Sequence, residues 1–481
     1  MNQGSGPQEL PKDRIGTADE RGRRVWLYVA DVRGRLRDLR TQISVVLVVF
    51  FLVLPWIRIG GNPAILLDIP GRRFSILGVL FWAHDGPMVV FLLGGGLLAL
   101  AFLTAILGRV WCGYACPQTV FVDLFFRRIE RWVEGNPVER KRLDRAPWSF
   151  AKLQKKSLKW GLYLLLSVVI SHSFLAYFVG ANQLAVMIRT SPFENPTTFL
   201  FMLGFTGLIL FDFGWFREQF CVIACPYGRF QSVLMDQDSM VVAYDQKRGE
   251  PRRGVGPKGG PQGDCVSCNR CVDVCPTGID IRRGVQMECI ACTSCMDACD
   301  EVMVKFDKQK GLIKYGSLAV AQAGSAEAKF KPRFGIRGWI YFGLMLVFAG
   351  GLAYTVSART AASIFFTRAV GAPYQLVERA GAESEVVNQF RVDLQNQTFE
   401  DLQITLELEA AESARGVSIV RSANAPSLAS GQNERSNLFV RLPKAALAGG
   451  HGNVWLRVVA KNPQGSEVMN QPRELKLVGP Y

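Results

Sequence analysis

The residues in this chain most able to do chemistry are its cysteines, twelve in all. Eight of them lie between Cys265 and Cys299 and repeat one spacing, C-x2-C-x2-C-x3-C. The first copy is Cys265, Cys268, Cys271 and Cys275, followed by Pro276; the second is Cys289, Cys292, Cys295 and Cys299, followed by Asp300. Thiolates at so short a step suit the corners of an iron–sulfur cubane. Zinc also takes C-x2-C pairs, but it does not call for a third cysteine at the same step, twice, and then x3-C-P. The other four cysteines form a second repeat: Cys112 and Cys116 in WCGYACPQTVF, Cys221 and Cys225 in FCVIACPYGRF. On a helix, sulfurs four apart share one face, and the proline disfavours helix at the second cysteine. The motif therefore predicts a helix end opening into a loop. A lone buried pair would be apolar filler; two copies at matching depth argue against that. Four such thiols suit a soft ion such as Cu(I), a further iron–sulfur centre, or a dithiol–disulfide cycle, and the spacing leaves the three open.

The Cys265–Cys299 run resembles that of bacterial two-cluster ferredoxins, in which the fourth cysteine of each copy reaches to the other cluster. That resemblance implies two [4Fe–4S] clusters, one on Cys265, Cys268, Cys271 and Cys299, the other on Cys289, Cys292, Cys295 and Cys275.

Elements of two kinds must position these groups. Lys and Arg total 56 against 41 Asp and Glu, a formal charge of +15 over 481 residues. Such an excess fits nucleic acid or an anionic membrane surface. No nucleic-acid fold signature appears, so no nucleic-acid partner is expected. Uncharged apolar runs of membrane-crossing length do appear. We expect spans near 42–59, 87–107, 158–180, 196–214 and 336–356. The basic stretch before the first span has no small-residue cleavage site after its apolar run, so it reads as a retained signal anchor. Basic residues crowd 1–40 and 109–157, whereas the loop between the third and fourth spans carries only Arg189. The positive-inside rule then puts the N-terminus, 109–157 and 215–335 in the cytoplasm and the C-terminal region in the periplasm of a bacterial inner membrane. All twelve cysteines fall on or beside the reducing side, against structural disulfides.

The expected organisation is a basic cytoplasmic tail over 1–40, whose first thirteen residues read as disordered, and a four-span membrane domain over 41–246. A two-cluster module follows at 247–310, entered by a Gly/Pro-rich linker, then a linker at 311–335 and a fifth helix at 336–357. Apolar/polar alternation in VVNQFRVDLQNQ, DLQITLELE, GVSIVRS, RSNLFVRLP and NVWLRVVAKN predicts an Ig-like β-sandwich over 375–481. The fold class is thus a polytopic α-helical membrane protein with a ferredoxin-like module and a C-terminal β-sandwich. Of three histidines, His172 lies inside the third span, as a functional group or bonded to a helix carbonyl; His84 and His451 fall outside, His451 in an exposed loop. Asp212 and Glu218, beside the second membrane motif, could guide a cation or pair with Arg217, and pairing is the expectation.

WCGYACPQTVF, DFGWFREQFCVIACPYGRFQ, CVSCNRCVDVCPTGIDIR and ECIACTSCMDACDEVM together resemble the FixG/RdxA/CcoG-type cytochrome c oxidase accessory proteins. The resemblance implies a cupric reductase that converts Cu(II) to Cu(I) for assembly of cbb3-type oxidase. Cys112, Cys116, Cys221 and Cys225 would meet the copper, and copper chaperones and oxidase assembly factors would be partners. NapH- and NosR-like ferredoxins, which pass quinol electrons to periplasmic reductases, share the membrane motifs and are the alternative class; a redox-sensing scaffold is a third. No GxGxxG dinucleotide fingerprint names an electron donor. Membrane lipid is the expected surroundings, and a homodimer is the default prior.

Overall fold

The computed structural model describes residues 17–480 apart from 18–20, 22, 60–61, 72, 83–85, 255–261, 324–334, 378–383, 399, 422–426 and 448. The stretch 1–13 and His84 lie outside the described residues. Among the described residues five helices are long and apolar enough to cross a membrane: Arg35–Trp56, Gly86–Leu107, Phe150–Val179, Pro196–Phe216 and Ile336–Ser357. The first and third begin earlier than the apolar runs suggest. Arg35, Arg37 and Arg40, and the basic stretch from Lys152 to Lys159, are good helix formers that extend each helix beyond its apolar part.

The chain divides into two compact units. One comprises residues 1–53, 87–176 and 182–352; the other comprises 54–86, 177–181 and 353–481.

In the first unit an aromatic core joins three of the apolar helices, the first, third and fourth, to the segment after the first membrane motif. Phe126 and Tyr163 are fully buried, with ring centroids 4.8 Å apart. Phe213 lies 5.7 Å from Phe121 and 5.6 Å from Phe126, and Val48, Ile170 and Ile209 complete the cluster. The cysteine-rich module of this unit has its own small core of Val242, Tyr244, Ile281, Met303, Leu312 and Ile313. An antiparallel pair, Met240–Tyr244 with Ile313–Ser317, closes it, Val242 opposite Tyr315. This corrects two boundaries. The module starts before 247, and the expected linker from 311 begins as a buried strand followed by a helix over Leu318–Gln322. The strand is five residues long and holds Lys314 and Gly316, so it has little apolar pattern to announce it.

The second unit is an antiparallel sandwich. One sheet orders Ser418–Arg421, Asn433–Pro443, Glu385–Asn396 and Ala362–Arg368, with Gln375–Val377 also on Glu385–Asn396. The other orders Ser427–Leu428, Leu402–Leu408, His451–Lys461 and Glu467–Val478. Inward residues at every second position, among them Val392, Leu394, Ile404, Leu438, Val440, Leu456 and Val458, are fully buried between the sheets. The β domain starts at Ala362, ahead of the expected 375, because this strand follows the fifth helix with few turn residues between. Glu467–Val478 carries Pro472, which an edge strand tolerates. A three-stranded meander, Ile65–Asp68, Arg73–Ile76 and Val79–Trp82, also belongs here. Asn62 donates to Ser430 Oγ (3.2 Å). His451 is exposed, but it opens a strand opposite Val478 instead of sitting in a loop.

Candidate iron–sulfur and thiol centres

The two cysteine runs of the module share one unusual backbone. The residue before and the residue after the second cysteine of each run are left-handed: Ser267 (φ 56°) and Asn269 (φ 57°) in the first, Ala291 (φ 52°) and Thr293 (φ 62°) in the second. Asn visits this region readily, but a β-branched Thr does so only under constraint. The constraint curls each run sharply about its second cysteine. Short helices then carry the third cysteines, Arg270–Asp273 and Ser294–Lys305.

The sulfurs group across the runs. Cys271, Cys275, Cys289, Cys292 and Cys295 line one cavity. Burial drives the Cys295 thiol well up, and the nearby thiols adding to this are Cys292, Cys289, Cys275 and Cys271. Burial likewise pushes Cys299 up to about 12, helped by Cys271, Cys265 and Cys268. The fourth cysteine of each run thus lies with the first three of the other. Among the described residues no three Cys, His, Asp or Glu groups converge closely enough for a single metal ion. Thiols set around a cavity instead fit the corners of a polynuclear centre. Buried thiols held neutral by desolvation ionise when iron supplies the compensating charge. Cys268 is the exposed member of the eight.

The membrane motifs repeat just as closely. Val110–Tyr114 forms one helical turn, Cys116 is extended (φ −61°, ψ 127°), and Pro117 is the first residue of the next helix. Phe220–Ala224 forms one π-helical turn, Cys225 is extended (φ −73°, ψ 112°), and Pro226 starts the next helix. The expected loop is therefore a kink of two residues in the first motif and one in the second, because proline suits a first helical position. Two more π turns, Val122–Phe126 and Asp212–Phe216, flank the motifs, a placement common near functional sites.

These kinks bring the four thiols within range of one another's charge. Burial pushes Cys112 up to about 11, against a hydrogen bond from Gln231, with Cys116 and Cys225 among its charged neighbours. Burial also raises Cys221, with Cys116, Glu218, Cys112 and Cys225 adding to it. Gln231 Nε2 donates to Cys112 Sγ (3.2 Å). Gln118, directly after the first motif, donates to Asp212 Oδ1 (3.2 Å) and to the Arg217 carbonyl (3.0 Å), tying one motif to the other.

The expected pairing of Arg217 with Asp212 and Glu218 is not what forms. Arg217, at φ 51°, donates to both oxygens of buried Glu130 (3.1 and 2.8 Å) and to Tyr163 Oη (2.9 Å). Glu218 pairs with Arg127. The side chain of Arg217 points back toward the 127–134 helix, and a partner distant in sequence wins. His172 Nδ1 bonds the Val168 carbonyl (2.8 Å), the intrahelical arrangement.

The membrane thiols and the cysteine-rich module meet directly. A Cβ on Gly113 would come within 2.7 Å of the Ala291 carbonyl oxygen and 2.8 Å of that of Ile290. Tyr114 and Thr293 hydroxyls bond at 3.1 Å. Arg109 donates to the carbonyls of Met287, Cys289 (3.4 Å) and Gly228 (3.1 Å), joining three segments. Cys221, Ile290 and Pro276 line one small cavity. It is therefore the Cys289–Cys295 run that faces the membrane thiols. On the module's other side, Asp297 accepts from the Arg37 backbone N–H (2.7 Å) at the start of the first long helix. Sequence reasoning missed Arg109, Gly113, Tyr114, Gln118, Glu130 and Gln231. A polar residue directly after the first C-P was the one available signal.

Known proteins share this arrangement. A family profile described as a 4Fe-4S dicluster domain matches residues 216–318. One described as a 4Fe-4S binding domain matches 87–136 and 194–237, and one described as the IG-like fold at the C-terminus of FixG matches 352–480. Protein RdxB of Cereibacter sphaeroides is 38% identical over 79% of this chain and 81% of its own. Nitrogen fixation protein FixG of Rhizobium meliloti is 31% identical over 84% of each chain. Ferredoxin-type protein NapH of Haemophilus influenzae is more distant, 26% identical over 46% of this chain and 78% of its own. With its paired membrane motifs, dicluster segment and Ig-like domain all matched, the chain belongs to the FixG/RdxA family of iron–sulfur electron-transfer proteins.

Proposed function

We propose that this protein is a cupric reductase of a bacterial inner membrane, supplying Cu(I) for assembly of cbb3-type cytochrome c oxidase. The observation that carries the reading is the packing of the Cys112–Cys116 turn on the Ile290–Ala291 loop. When bound by the eight module cysteines, two [4Fe–4S] clusters supply one-electron transfer, and Cu(II) needs one electron. Cys112, Cys116, Cys221 and Cys225 receive copper as substrate. Their thiolates favour Cu(I), which raises the potential of the copper couple and draws the electron across. Gln118 and Arg109 hold the two motifs and the Cys289 loop in register.

Membrane insertion is supported by the exposed apolar faces of the long helices: in Ile336–Ser357 only Gly338 is buried. The basic 109–157 segment supports a cytoplasmic side for the cysteines and a periplasmic one for the Ig-like domain.

A second reading comes from the 4Fe-4S binding profile over both membrane motifs: the four thiols hold a third cluster. The likeness to NapH supports an electron-relay role of that kind. One experiment separates them. In anaerobically purified protein we expect about eight iron and eight sulfide per chain, and Cys225→Ser retains them yet loses Cu(II) reduction by the chemically reduced protein, followed with a Cu(I)-specific chelator. About twelve iron, falling in Cys225→Ser, establishes the third cluster instead. Unchanged copper reduction in all four serine variants removes the membrane thiols from the copper path.

A further inference from the structure

We propose that a cavity beside Cys289 is the electron-entry site and that it takes a membrane-soluble quinol. This rests on the reading of the eight module cysteines as cluster ligands and of the long helices as membrane spans. The cavity has a volume of about 460 Å³, within the range of small-molecule sites. Cys289 is part of its wall, with Met235, Met240 and Met287 as apolar surface and Arg109 and Arg283 as cationic groups. Thioethers accommodate a flat ring, and guanidinium groups favour the deprotonated quinol, the form that gives up an electron.

Its position selects a lipid-borne donor. Gly108, the turn that ends the second long helix, lies against the Met240 carbonyl. Arg337, in the first turn of the fifth, donates to the carbonyls of Val233 (2.8 Å) and Met235 (3.2 Å). The walls are thus built where two spans end, a level a bilayer-dissolved carrier reaches. A second cavity of about 230 Å³ also touches the spans, around His172, Thr190 and Asn195. No cysteine lines it, and from Phe199 to the end of the fourth long helix at Phe216 is about 26 Å of helix rise. It offers no electron acceptor.

The reaction balances. One quinol loses two electrons and two protons as its O–H bonds break and the carbonyls of the quinone form. The protons go to water at the cavity mouth. The module cysteines would hold two clusters able to take one electron each, enough to reduce two Cu(II) ions to two Cu(I).

The test uses the full chain in lipid nanodiscs without oxygen. An azido-ubiquinone is photoactivated and the labelled peptides are mapped by mass spectrometry, while unlabelled quinol is titrated against cluster absorbance. We expect label on peptides covering 235–246 or 283–289, displaced by unlabelled quinone, and bleaching at one quinol per two clusters. Met287 is exposed, and Gln322, also exposed, is part of the lining. Met287→Trp and Gln322→Trp therefore fill the cavity from its rim, and each should lose the label while iron content stays at that of the parent. Label confined to the spans, or unchanged in both variants, overturns the proposal. So does copper reduction driven by dithionite but never by quinol, an outcome that leaves the cupric-reductase reading standing. Absence of iron–sulfur absorbance removes that reading itself.

Discussion

Replacing Glu130 by Gln should destabilise the joint that holds the two membrane motifs together. Burial alone would raise the Glu130 carboxyl; the charge and hydrogen bonds of Arg217, then Arg140 and Lys159, override it and hold it at about 2 against an ordinary 4.5. The difference between 4.5 and about 2 corresponds to about 3 kcal/mol, in line with the ~3–5 kcal/mol lost when one partner of a buried pair is removed. Because the folded-state value is depressed, this contribution is complete above about pH 4.5 and disappears as pH falls toward about 2. Thermal unfolding of detergent-solubilised protein, followed by tryptophan fluorescence at pH 7, should show a clear drop in midpoint for Glu130→Gln. Between pH 4.5 and 2 the variant's midpoint should fall less steeply than the parent's. A paired Glu130→Met, Arg217→Met variant should be less damaged than either single change, since an apolar pair leaves fewer buried charges alone. A Glu130→Gln protein within about 0.5 kcal/mol of the parent would show that the ion pair does not carry the joint.

Cys275→Ser should disturb the EPR signal of the cluster on Cys289, Cys292 and Cys295; loss of the Cys265–Cys271 signal instead would overturn the exchange of fourth ligands. Gly113→Ala pushes a methyl against two backbone carbonyls, and overpacking of this kind costs about 1–3 kcal/mol; full iron content with slowed Cu(II) reduction is expected, and a parental rate would discount the contact as the electron path. A reporter fused after residue 481 should be active only outside the cytoplasm and one placed near residue 260 only inside, and the reverse result would invert the orientation.

The cysteine runs, the apolar helices and most sandwich strands were legible because each is a local pattern: a spacing, a length, an alternation. What escaped depends on where distant segments meet. Arg217 looked bound to pair with Asp212 or Glu218, its neighbours in the chain, yet Glu130 is its partner. Ile313–Ser317 resembled a linker because its strand character comes from pairing with Met240–Tyr244 and not from its own composition. Gly113 carried no signal as a glycine in a helical motif; only the approach of the Ile290–Ala291 loop gives it a purpose. Gln118 was visible beside Pro117, but its acceptor is a carbonyl about a hundred residues on.

Asp297, between the third and fourth cysteines of the second run, accepts from the backbone N–H of Arg37. A carboxylate there satisfies a free helix-end donor and opposes the positive end of the helix dipole. The first long helix therefore receives its terminal carboxylate from a residue synthesised 260 positions later. During synthesis that helix is made with its beginning unfinished, and it stays so until the cysteine-rich module has emerged and folded. The final seating of the first helix is therefore a late event, tied to the folding of a module made long after the helix itself.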